Sequence, residues 1–152
     1  MLTEDQKWHK VSLRIVGDQI PIDEIAAMLD IQPSYIGRIG EHINNNPKHA
    51  KHEINLFVWR YTTDTAIPFE DQISDLLEKL ELKKQVMESI LSIPNTYCEL
   101  FLGFGSGNGQ GGAYLSPQVL TRLSVMGMAI SLDFYPSDSD IAEALYENDC
   151  QT

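Results

Sequence analysis

The residues between Gly103 and Gly112 read Gly-Phe-Gly-Ser-Gly-Asn-Gly-Gln-Gly-Gly, and they raise the first chemical question. Gly107, Gly109 and Gly112 satisfy G-x-G-x-x-G, a strand pattern precedes them, and Asp133 follows about twenty residues on. Such a loop lets a backbone approach a dinucleotide pyrophosphate, provided a helix opens at its last glycine. Here the helix signal, Ser116-Pro117, comes several residues later, and only one β-α-β unit is available. Without Gly-Lys-Ser/Thr, a P-loop is excluded. The expectation is a connection or bulged hairpin whose glycines supply positive φ. A ligand site on Gly107, Asn108, Gly109 and Gln110, closed by the long 33–53 loop, remains the alternative.

Other reactive groups are sparse. His42, His49 and His52 lie near Glu41 and Glu53, but Asn44-Asn45-Asn46-Pro47 interrupts them and no metal-ligand spacing results. They read as loop histidines. Cys98 and Cys150 are too few and too distant to form a disulfide framework or a zinc site. Ser106 lacks the G-x-S-x-G elbow, and neither cysteine has a placed histidine. No catalytic residue, metal ligand or cofactor is therefore expected. Trp59-Arg60-Tyr61 has the residue types that dominate interface energetics, although burial in a strand accounts for Trp59 at least as well.

Charge points toward a partner. The 152 residues carry 11 bases and 22 acids, a net −11. That field repels phosphate backbones and attracts basic proteins. From Gln85 onward Arg122 is the single base, and the last twenty residues hold Asp133, Asp138, Asp140, Glu143, Glu147 and Asp149. On a short helix, Asp140, Glu143 and Glu147 share one side. This array is expected to meet a basic cleft, with Asp133 and Asp138 beside it. A solvated acidic terminus is the competing reading.

These groups need a scaffold. Lys10–Val16 alternates as a strand with Val11, Leu13 and Ile15 on its buried face. Pro21 opens a helix near 21–30, and residues 53–63 form a strand apolar on both faces. Residues 68–93 read as a long helix whose stripe shifts near Glu81, predicting a kink or break. Then come a strand at 97–104, a short strand at 113–115, a helix at 117–126 and a strand at 128–135. Leu56, Val58, Leu100, Leu102, Ile130 and Leu132 are expected inside. Ser137 and Asp140 resemble a capping box opening a short C-terminal helix. The order β-α-β-α-β-(β)-α-β predicts an α+β two-layer sandwich of four to five strands, mixed or antiparallel, with helices on one face. The chain is one domain: a core at 10–136 and an acidic tail at 137–152.

The segment Leu115-Ser116-Pro117-Gln118-Val119-Leu120 through Leu123, Gly127 and Ile130–Tyr135 resembles the C-terminal motif of the domain of unknown function 4279 family. Ser12–Asp18, Leu29-Asp30-Ile31-Gln32-Pro33 and the Trp59 strand resemble it too. The resemblance spans most of 10–136 and implies a bacterial α+β architecture; it carries over no catalytic residues. Size, acidity and the missing catalytic groups, not the resemblance, lead to the expectation of a non-enzymatic protein-binding module, an immunity or inhibitor protein neutralising a basic toxin or nuclease. The second reading is a nucleotide- or metabolite-binding protein or enzyme. The polar, acidic start and the lack of a long apolar run predict a cytoplasmic monomer or homodimer away from membranes and nucleic acid.

Overall fold

Five apolar-rich stretches pair into one five-stranded sheet. The structure, a computed structural model, describes residues 6–135. Its strands are β1 (Lys7–Gly17), β2 (Tyr35–Gly37), β3 (Asn55–Arg60), β4 (Tyr97–Ser106) and β5 (Met128–Phe134). They lie in the order β2-β3-β1-β4-β5. β1 pairs antiparallel with both β3 and β4, and β2 with β3; β5 joins β4 in parallel. The parallel pair requires a crossover, which α4 (Pro117–Val125) supplies.

Alternation on β1 decides the layering. Val11, Leu13 and Ile15 are fully buried in one cluster with residues of α1 (Ile25–Leu29), α2 (Phe69–Glu81), α3 (Lys84–Leu91) and α4. All four helices thus cover the same face, the two-layer α+β arrangement that the pattern predicts. On the second face Val16, Leu56 and Val58 form a smaller cluster with Tyr35 and Ile54. Among the described residues no helix lies over that face.

The long helical stretch breaks at Leu82-Lys83, where the apolar stripe shifts. Pro21 belongs to the turn before α1, and its carbonyl accepts the amides of Glu24 and Ile25. Residues 113–115 form no strand; their stretch runs as a connection into the Ser116 cap. The 33–53 loop is less loose than its composition suggests, because it holds β2 and a bridge between His42 and Lys51. Leu132 corrects the core assignment. It is 54% exposed, because β5 is an edge strand and α4 reaches over only Met128 and the partly buried Ile130. The expected C-terminal helix lies outside the described residues.

Gly105 pairs with Trp8, and a Cβ there would fall inside the Trp8 indole. Only glycine lets that ring lie flat on the neighbouring strand. Gly105→Ala is expected to destabilise the fold by about 1–3 kcal/mol, the usual range for overpacking, measured by urea unfolding. A wild-type midpoint would show that the ring is free to move aside.

Candidate functional site

The site most complete in the described residues is a groove beside β3. Trp59 and Tyr61 are two apart, so both side chains face the helical layer. Their rings meet edge to face, with centroids 5.3 Å apart. α2 runs alongside and brings the Lys79 ammonium to 5.0 Å from the Tyr61 ring centroid. Two hollows share Trp59 and Lys79. The first, about 320 Å³, adds Tyr61, Asp64, Ile67 and Asp75. The second, about 380 Å³, adds Asp30, Ile31, Gln32, Leu82 and Lys83. Leu82 is 85% exposed, because the break between α2 and α3 turns it out of the helical stripe.

One buried amide holds this wall in place. The Gln72 side chain donates to the carbonyls of His9 (2.9 Å) and Ile67 (2.7 Å). Its oxygen accepts the Thr62 hydroxyl at 2.6 Å, and Thr62 accepts the Val11 amide at 2.6 Å. The chain from Tyr61 to Ile67 is thereby tied to both β1 and α2. Burial raises the Tyr61 pKa, and the negative charges of Asp75 and Glu78 raise it further. The field at Tyr61 is thus negative, while Arg60, Lys79 and Lys83 balance Asp30, Asp64 and Asp75 across the two hollows, and the aromatic floor holds a cation in place.

The glycine loop is arranged otherwise. The Gly107 amide donates to the Gln6 carbonyl (2.9 Å), Gly109 to Ser106 (3.2 Å) and Gln110 to the Asn108 side chain (2.9 Å). The same Asn108 oxygen accepts the Ser106 hydroxyl at 2.6 Å. Those donors are turned into the loop, away from any phosphate. At the start of α4 the Ser116 hydroxyl accepts the Val119 amide, and the Glu70 carboxylate accepts the Ser116 amide at 2.9 Å. A carboxylate thus already sits where a pyrophosphate would lie. Nor do the two loops meet: Ser106 pairs with Lys7 at one end of β1, and Asn55 with Gly17 at the other. Ten residues of strand, about 33 Å, separate the glycine loop from the 38–53 part of the other loop, and about five separate it from Ser34.

The histidines serve the 33–53 loop. His42 Nδ1 lies 2.8 Å from the His49 carbonyl and His49 Nδ1 3.1 Å from that of Ile43, so each ring donates. The Tyr35 hydroxyl accepts the Asn44 amide and is hydrogen-bonded to His52 Nε2 at 2.6 Å. His52 also packs where a Cβ on Gly37 would come within 2.6 Å. Among the described residues no cluster of His, Cys, Asp and Glu could hold a metal ion. Burial, with Glu99 adding to it, pushes the Cys98 thiol far above the range in which a thiolate forms. Asp133 lies half-buried on β5, at the far edge of the sheet from the groove. Asp138, Asp140, Glu143 and Glu147 lie outside the described residues.

Sequence reasoning marked Trp59 and Tyr61 but missed Asp64, Asp75, Lys79 and Leu82. The signal for Leu82 was present in the stripe shift at Glu81.

A mixed five-stranded sheet with four helices on one face and an aromatic groove at β3 defines a small α+β domain. The chain belongs to the family described as Domain of unknown function (DUF4279), whose family model matches residues 6–137. No curated protein and no solved structure matches it. No helix among the described residues is long and apolar enough to cross a membrane.

Two expectations can be measured. NAD, NADP and ATP should leave the melting temperature unchanged, whereas a ligand at a hundred times its dissociation constant would add about 2.7 kcal/mol. A clear shift that vanished in Gly109→Val would return the loop to the list of sites. Burial lowers the His52 pKa below its ordinary 6.5, against a raising effect from Glu41, and burial lowers His9 likewise. The unfolded chain then takes up these protons first, so stability is complete above about pH 6.5 and falls as pH drops toward the lowered native values. Urea unfolding from about pH 7.5 to pH 5 should show this decline, and His52→Gln should flatten it. An unchanged slope in that variant would remove His52 from the account.

Proposed function

We propose that this protein is a non-enzymatic binding module for a basic protein, acting in the cytoplasm as an immunity or inhibitor protein against a basic toxin or nuclease. The Lys79 ammonium over Tyr61 carries the reading, because the groove already accommodates a cation. An incoming arginine or lysine would take the place of the Lys79 ammonium on the Trp59–Tyr61 rings, held by Asp30, Asp64 and Asp75 against the repulsion of Arg60 and Lys83. Exposed Leu82 gives the apolar part of the contact. Such an aromatic anchor within a charged rim is the anatomy of an interface hot spot.

The field of the whole chain supports the same partner. A net charge of −11 raises the encounter rate with a basic cleft and disfavours nucleic acid. The tail acids Asp138, Asp140, Glu143 and Glu147 add to this steering, and Asp133 contributes from β5. A nucleotide site at Gly107–Gln110 is the weaker reading, since the amides of Gly107, Gly109 and Gln110 are already engaged.

The test uses heptaarginine as the probe and Trp59 fluorescence as the readout, in a Trp8→Phe background. Binding is expected at low salt and should weaken strongly as the Debye length falls from ~10 Å at 0.1 M to ~3 Å at 1 M. Asp64→Asn with Asp75→Asn should lower affinity about tenfold, roughly 1.4 kcal/mol, while Glu88→Gln changes it little. Equal binding of a neutral heptapeptide, or a Trp59 signal that ignores heptaarginine, would overturn the groove as the docking site.

A further inference from the structure

The sheet has two edges, and they are built differently. β2 has three residues, whereas β5 has seven, Met-Ala-Ile-Ser-Leu-Asp-Phe, with one charge among them. Among the described residues no strand pairs with the outer side of β5. Edge strands of soluble proteins are normally blunted by lysine, proline or a bulge. β5 carries none of these, and Leu132 and Phe134 stand 54% and 59% exposed on its helical side. In so acidic a chain, an edge strand with a single charge, Asp133, and two exposed apolar side chains is suited to pairing.

We infer that β5 pairs antiparallel with β5 of a second copy, about a two-fold axis at Ser131, to form a continuous ten-stranded sheet. This register leaves no residue of β5 unpaired. On the helical face it sets Met128 against the partner's Phe134 and Ile130 against the partner's Leu132, covering both exposed side chains. On the other face Ala129 meets the partner's Asp133, and the two Ser131 residues meet each other. The two Asp133 carboxylates are then four strand positions apart, about 13 Å, instead of directly opposed. A heterologous strand could form the same ladder, but the self-complementarity of this seven-residue sequence favours a second copy.

Salt separates this contact from the groove. Two copies at −11 each repel, so screening strengthens their association, while it weakens the hold on a cation. Sedimentation equilibrium of the full chain should give twice 17.1 kDa, with the dimer fraction rising between ~0.1 M and ~1 M salt. Leu132→Glu should yield a monomer with an unchanged far-ultraviolet spectrum, since the residue is exposed. In a Cys150→Ser background, Ser131→Cys should cross-link under mild oxidation, while Val125→Cys on α4 should not. A monomer at every salt concentration, a dimer that survives Leu132→Glu, or no cross-link through Ser131→Cys would overturn the inference. None of these outcomes bears on heptaarginine binding.

Discussion

The Gln72 amide is the interaction on which the groove beside β3 depends. It lies on α2 yet bonds to β1 through the His9 carbonyl, to the 61–67 connection through Ile67, and to the Thr62 hydroxyl. Both amide hydrogens and the oxygen are therefore used. A buried polar group satisfied in this way fixes one arrangement, because any other leaves donors and acceptors without partners at roughly 1–3 kcal/mol each. The arrangement it fixes is the spacing between β3 and α2. That spacing is what leaves Trp59 and Tyr61 half-covered and open to a guest.

The groove's electrostatics follow from the same geometry. α2 presents Asp75, Glu78 and Lys79 toward Tyr61, so one helix supplies both the negative field and the cation lying in it. Sequence reading placed the acidic docking surface at the tail, because the run without bases is conspicuous there. The first sixty residues read as nearly neutral, and the stretch after them was not singled out. Only the fold shows that Lys79 lies over an aromatic ring while Asp64 and Asp75 line the hollow.

The scaffold was legible where a single periodicity governed. β1 alternates and α2 carries a complete stripe, so both elements and the break at Leu82-Lys83 could be read from pattern. Leu132 was misjudged because alternation identifies a strand but not its place in the sheet, and an edge position leaves its apolar face uncovered. β2 escaped notice because three residues are too few for any period. The glycine run was ambiguous for a physical reason. Gly105 is required by the flat Trp8 ring, so one glycine of the run serves packing between strands. A motif that counts glycines cannot distinguish the two causes.

The strand order also determines how the two proposed contacts combine. The groove lies on the β3 side of β1, and β5 lies on the opposite edge, beyond β4. Joining two copies through β5 would leave both grooves unobstructed near the outer ends of a ten-stranded sheet. Each copy would contribute its negative field, so a basic partner would meet a larger charge without any new contact in the groove. Two grooves held in one body also bring a second binding event within reach of the first, raising apparent affinity for a partner with two basic segments. An uninterrupted sheet would fix the distance between the grooves, so the gain would be largest for a partner whose two basic segments match that distance.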